Sequence, residues 1–171
     1  MPRPATEINT IDRMVGFMQS AAGGGYEDMT PQQRAEKSAA VMWANDAASK
    51  WLGISLDAVG PGTATLSFTV QDHHLNGHYI CHGGYIFTLA DSAFAFACNS
   101  YNQLTVAQEN QITFLSPGKG GETLTATASE TAKTGRSGVY DVTVTGQDGR
   151  KVALFRGLSR TIKGQHFEEE T

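Results

Sequence analysis

Two cysteines, Cys81 and Cys98, are all that the 171 residues carry. Small secreted scaffolds stapled by disulfides are far denser in cysteine, so both are read as reduced thiols. Neither is taken as a nucleophile, because a small buried hydrophobe is the commoner role of such a residue. Long apolar runs are also missing. No stretch approaches the roughly 20 residues that span a bilayer, and the opening "MPRPATEINT" lacks the apolar core of a signal peptide. A cytoplasmic location away from any membrane is the expectation. Positive charge is not in excess. The formal net charge is −4, which points away from nucleic acid as the main partner. Internal repeats and low-complexity linkers are absent too, which excludes solenoids and strings of modules.

What is there suits one domain with a real core: 171 residues, 40% of them apolar, an ordinary share for a soluble globule. Residues 1–30 are the least committed; "IDRMVGFMQSAA" reads as a short amphipathic helix stopped by Gly23, Gly24 and Gly25. "TPQQRAEKSAAVMWANDAASKWLG" reads as one good helix. Thr30 can cap it, Pro31 suits its first position and Gly53 stops it. Trp43 and Trp51 are expected to anchor its apolar side in the core. The period then switches to two. "ISLDAV" and "ATLSFTV" flank "GPG" as a hairpin. Later come "LTVAQENQITFL", "ETLTATASET", "GVYDVTVTG" and "KVALFRGLSRTI", alternating Thr, Val and aromatics as antiparallel strands do. "SPGKGG", "AKTGRSG" and "GQDGR" supply the turns. One apolar helix against an antiparallel sheet of five to six strands, an α+β domain, is the expected architecture.

That helix is "CHGGYIFTLADSAFAFACN". It is apolar nearly all round, so most of its sides are buried. Asp91 lies inside it, where a carboxylate needs a partner or gives up its charge. A hydrogen bond to a neighbouring loop would account for such an acid structurally. The helix start bears on the choice. "HGG" places Gly83 and Gly84 where the first unpaired amides lie, and these amides with the helix dipole can hold an oxyanion. Taken alone, the same glycines also make a plain tight turn. Gly83 and Asp91 stand eight residues apart, about 12 Å along one helix. Two such groups cannot touch one carbonyl within one chain. If they work together, a two-fold pair of antiparallel helices brings Asp91 of one chain to Gly83 of the other.

"LNGHYICHGGYIFTLADSAFAFACNS" resembles the hotdog-fold acyl-CoA thioesterases, and among them the phenylacetate-degradation type. The likeness runs from "WANDAASKWLGI" to "FRGLSRTI" and includes "PGKGGETLTATA", "GVYDVTV" and "VALFRG". It implies a hotdog fold over residues 41–165, with an N-terminal extension at 1–40, partly helical, and a tail at 166–171. It implies a homodimer, often a dimer of dimers, that hydrolyses acyl-CoA thioesters. It also implies roles. Gly83 would donate its amide to the thioester carbonyl, and Asp91 of the facing chain would attack that carbonyl or activate a water. Asn76 would orient the water or the carboxylate. His82 would shape the turn and donate a hydrogen bond. Some relatives carry a hydroxyl one turn after the acid; here Ala95 stands there, and Ser92 beside the acid is a possible helper.

Substrate contacts follow the same lines. Gly84 lets substrate approach the helix start. Leu75, Tyr85, Phe87 and Phe94 could line the acyl end, although Phe94 also suits plain core. The phosphates of coenzyme A need cations or amides, and Arg136, Ser137 and Gly138 in "KTGRSGVYD" fit, with Lys119 and Arg156 as weaker candidates. Solvated turn charges explain these equally well. His74, His78 and His82 recur every four residues with His73 beside them, but the glycine-rich segment around them reads as a loop, so helical metal spacing has no meaning there. No metal and no redox cofactor is expected; coenzyme A belongs to the substrate. Aryl-acetyl groups are what the resemblance points to, and composition does not separate them from medium-chain acyl groups. A hotdog enoyl-CoA hydratase or dehydratase and a non-catalytic acyl-CoA-binding module are the alternatives.

Overall fold

The computed structural model describes residues 29–169; the helix expected over residues 11–22 lies outside them. Helix α1 spans Pro31–Asn45. Thr30 caps it reciprocally with Gln33, each accepting from the other's main-chain amide, so two orphan donors are satisfied at once. The helix does not run on to Gly53 as expected. Asp46 leaves helical geometry, closes α1 through its own amide and accepts from the Ser49 amide at 2.9 Å to start α2, Ala47–Trp51. An Asp side chain competes with the helix interior for backbone donors, and here it wins. Ala35 and Ala39 of α1 lie in the same core as the sheet, so the boundary expected at residue 40 falls inside a continuous helix.

Six strands follow, all antiparallel: β1 Ser55–Gly60, β2 Thr63–Thr69, β3 Thr105–Phe114, β4 Thr123–Thr134, β5 Ser137–Thr145 and β6 Lys151–Thr161. Each expected strand is present. The β4–β5 turn is tighter than "AKTGRSG" suggested, because pairing persists up to Thr134 opposite Ser137. That leaves a two-residue turn with Gly135 at φ +58°, a conformation glycine adopts without strain. In space the strands run β1-β2-β4-β5-β6-β3. β3 therefore forms the far edge, and the chain reaches it from β2 by way of helix α3, Gly83–Cys98.

The sheet wraps α3 because period two places one apolar face inward. Leu66 and Phe68 of β2, Leu124 and Ala126 of β4, Val142 and Val144 of β5 and Phe155 of β6 are all buried with Leu89, Ala93, Phe94 and Ala97 of the helix. Close approach is permitted at β6, where a Cβ on Gly157 would lie 2.8 Å from the Phe94 ring. Fully burying aliphatic and aromatic side chains of this kind contributes roughly 1.5–3 kcal/mol each. β3 runs antiparallel to α3 along the open side of this core. Phe114 lies at Gly83 and Asn110 at Asp91. Eight helical residues and four strand residues cover the same length, about 12 and 13 Å, so the two pairs sit at matched positions along the molecule.

Candidate active site

The start of α3 is held from both sides. Cys81 donates its amide to Gly118 O at 2.9 Å, and His82 donates to His74 O at 2.8 Å. Arg150 bonds Glu122 and the Pro117 carbonyl, and Glu122 accepts from the Lys119 amide. That clamp fixes the turn on which Cys81 rests. His82 then caps the helix: its Nδ1 accepts from the Gly84 amide at 2.9 Å. A neutral imidazole with Nδ1 as acceptor carries its proton on Nε2, so the free edge of His82 is a donor. The Gly84 amide is spent on this cap. The Gly83 amide is not; among the described residues no acceptor meets it. A Cβ at Gly83 would stand 2.9 Å from Phe114 Cζ, so a bare backbone is what fits beneath that ring.

Asp91 is half-buried on the same helix. Burial pushes its carboxyl above the ordinary aspartate range, and a hydrogen bond from Asn110 works against this. Asn110 Nδ2 donates to Asp91 Oδ1 at 2.6 Å. Sequence reasoning missed Asn110, since it lies nineteen residues on, in a different element. The signal available was its place in β3, where it alternates with Ile112 on the inward face. Asn76 turns its Oδ1 back on its own loop, accepting from the His78 and Ile80 amides, and keeps Nδ2 as a donor.

A groove of about 580 Å³ opens beside the helix start between α2 and α3. It brings together four of the expected residues, Leu75, His82, Gly84 and Tyr85, and adds Trp51, His73 and Thr88. Trp51 is not the core anchor expected; it is 73% exposed and faces His73. Trp43 does pack, against Phe96. Phe87 leans on Phe155 at the core edge, and Phe94 is core. Ser92 turns away from the acid, its hydroxyl 3.1 Å from that of Ser49 on α2.

The expected nucleotide contacts lie elsewhere in the chain. Ser137 and Gly138 start β5 opposite the end of β6, with Arg136 in the turn just before them, whereas Gly83 lies beside Phe114, at the level of Val144. Seven strand residues, about 23 Å, separate the two levels. Gly138 is buried and paired with both Lys133 and Ser159, so the ladder rather than an open turn occupies its backbone; Arg136 and Ser137 are exposed. Arg156 is engaged by Asp141 at 2.7 Å. Of the histidines, His74 is buried between Phe68 and Tyr85, and burial lowers its pKa. Both cysteines are free and buried; burial pushes Cys81 up to about 11 and Cys98 up to about 12. Such thiols stay protonated and unreactive at neutral pH.

A family model described as the thioesterase superfamily matches residues 78–153. The acyl-coenzyme A thioesterase PaaI of Escherichia coli K12 is 47% identical over 131 residues, 77% of this chain and 94% of that protein. The solved structure of the Escherichia coli PaaI protein from the phenylacetic acid degradation operon superposes with a TM-score of 0.78 at 45% identity, covering 80% of this chain and 99% of the other. A Streptococcus mutans protein solved with bound acetyl-CoA is 28% identical, with a TM-score of 0.63 over 66% of this chain and 90% of its own.

Proposed function

The chain belongs to the thioesterase superfamily and is a hotdog-fold acyl-CoA thioester hydrolase of the PaaI type, and on that premise we propose that it cleaves aryl-acyl thioesters of coenzyme A in a site shared by two subunits. The observation that carries the reading is the unclaimed Gly83 amide at the start of an unbroken helix that holds an acid eight residues on. That amide, aided by the helix dipole, would receive the thioester oxygen as negative charge grows on it. Asp91 of the facing subunit would supply the attacking oxygen, directly or through a water, and the thiolate of coenzyme A would leave. His82 Nε2 and Asn76 Nδ2, which no acceptor meets among the described residues, would donate at the carbonyl and the water.

The acyl group would enter the groove between α2 and α3. Trp51, Tyr85, His73 and His82 offer ring faces and edges there, which favours an aromatic acyl group over a plain alkyl chain. Arg136 and Ser137, remote from Gly83 within one chain, would meet the nucleotide from another subunit. The open edge of β3 supports a subunit pair. Among the described residues no strand other than β6 lies beside it, and Phe114 and Val106 are about half exposed along it. A long exposed edge of this kind is covered in stable proteins. A dimer, then a dimer of dimers, is the assembly proposed, with no metal or redox cofactor. Among the described residues no helix is long and apolar enough to cross a membrane; a cytoplasmic location is proposed with the rest.

Free-thiol release across aryl-acetyl and alkyl-acyl CoA esters tests the reading. Aryl-acetyl esters should turn over fastest. Asp91→Asn should lose about 10²–10⁴-fold in kcat, the range of a lost acid–base group, while acyl-CoA still binds. An Asp91→Asn variant of unchanged kcat, or turnover of enoyl-CoA in place of hydrolysis, would end the proposal.

A further inference from the structure

Among the described residues Asn110 is the one side chain bonded to the acid of the site, and its own amide is only half used. Nδ2 gives Asp91 Oδ1 a 2.6 Å hydrogen bond. Asn110 Oδ1 is buried and has no hydrogen-bond partner among the described residues. The amide cannot be turned round to relieve this, because the ionised carboxylate accepts only. A buried acceptor left unpaired costs free energy, so it calls for an explanation. The surroundings supply no donor from the strand beside it. Its neighbour across the ladder is Gly157, which has no side chain.

We propose that Asn110 is a positioning residue for hydrolysis: its amide nitrogen holds Asp91 in one orientation with Oδ2 outward, and its orphaned Oδ1 accepts a hydrogen from the water that Asp91 activates. The inference rests on the reading of Asp91 given above. In the step, the water oxygen bonds to the thioester carbon and one of its protons passes to Asp91 Oδ2. The other hydrogen stays directed at Asn110 Oδ1, which aims the oxygen lone pair at the carbonyl. The C–S bond then breaks, and the departing thiolate of coenzyme A takes up the proton. Two acceptors side by side hold both hydrogens of one water, a task that Asn76, with its Oδ1 already bonded to two amides, does not perform.

Asn110 also bears on ionisation. Burial favours the neutral acid and the donated hydrogen bond favours the carboxylate. Of the other charged groups of β3 and β6, Glu109, Arg156 and Arg160 alternate to the outer face, Arg156 bonded to Asp141 and Arg160 to Ser137, and Lys151 is exposed at the start of β6. On the inner side Cys98 of the same helix interacts with Asp91, and Tyr140 of β5 with Cys98 in turn; burial holds both in their neutral forms. Asn110 is thus the group set to hold the acid limb of the pH profile in place.

The test compares wild type, Asn110→Leu, Asn110→Asp and Asp91→Asn by steady-state thiol release from phenylacetyl-CoA across pH. Asn110→Leu removes both ends of the amide at similar volume. It should lower kcat about 10–100-fold, the worth of a lost charge-assisted hydrogen bond, leave KM within about threefold, and move the acid limb of kcat to higher pH. Asn110→Asp is isosteric and keeps the fold. Two adjacent carboxylates share a proton, so its limb should move further still. A helix-to-strand tie alone would lower the melting temperature and leave the limb where it is in wild type. Unmoved limbs and kcat within twofold of wild type in both Asn110 variants, with Asp91→Asn inactive, overturn the inference and leave the thioesterase reading standing. An active Asp91→Asn overturns both.

Discussion

Asp91 is held where an ionised carboxylate is expensive, and that expense should be measurable as stability. Its folded pKa lies above the ordinary value of 3.8 because burial disfavours the charge. Between the two values the folded chain holds a proton that the unfolded chain has lost. Stability therefore falls as pH rises through that window, and the full penalty persists at neutral pH. Asp91→Asn removes the charge and keeps an acceptor for Asn110 Nδ2. Thermal denaturation at pH 7 should show a melting temperature about 2–4 °C above wild type, and the gain should vanish below pH 3.8. Equal melting curves at both pH values would mean that the acid is not strained by its surroundings. The hydroxyl of Ser92, in contrast, is paired with Ser49, so Ser92→Ala should touch stability and leave kcat within about twofold. What stayed hidden from a reading of the residues in order was a matter of this scale. Asp91 stood out because an acid in an apolar helix breaks the pattern. Asn110 did not, because an inward amide in a strand obeys period two and becomes unusual only once its partner is known.

At the scale of the element, the helix start is the device. Gly83→Pro tests it with little else disturbed. Proline is at home at the first helical position, and His82 already has the extended backbone, φ −62° and ψ 132°, that a following proline requires. The change removes the main-chain N–H proposed to face the thioester oxygen. The exposed ring of Phe114 must swing aside to make room for the Cβ. Circular dichroism should show an intact fold, and kcat should drop about 10²–10³-fold, as when an oxyanion donor is lost. Full activity would remove Gly83 from the mechanism. The turn beneath the helix depends on Glu122. Burial would raise its pKa, but Arg150 and the Lys119 amide outweigh this and hold it below the ordinary 4.5. Stability from that pair is present above pH 4.5 and is lost as pH falls through the lowered value. Glu122→Gln should cost about 3 kcal/mol at pH 7, the low end for a broken buried pair, since Arg150 keeps 22% of its surface. The gap to wild type should close in acid, as chemical denaturation across pH would show. Strands and the central helix were plain in the sequence because each has one buried face and so a clear period. The break at Asp46 was not, because the apolar spacing runs on across it while a single capping bond decides the matter.

At the scale of the molecule, the two groups proposed to act on one thioester are kept apart by the chain's own geometry. Gly83 and Asp91 lie on one unbroken helix, eight residues apart, about 12 Å along its axis. Arg136 lies at the far end of the sheet. The proposed isologous pair through the edge of β3 would remove the first separation, because a two-fold axis reverses the helix direction and would set Asp91 of one subunit opposite Gly83 of the other. This makes a prediction no single-site enzyme shares. Gly83→Pro and Asp91→Asn each inactivate the homodimer, since both of its sites lack one half. Unfolded together in equal amounts and refolded, half of the dimers are mixed. In a mixed dimer one site joins the intact Gly83 of one subunit to the intact Asp91 of the other, while the second site lacks both. Activity should return to about a quarter of the wild-type level on this counting, and it should not return when the two pure proteins are mixed without exchange. A site contained within one chain gives no recovery under either condition, because every subunit then carries its own defect.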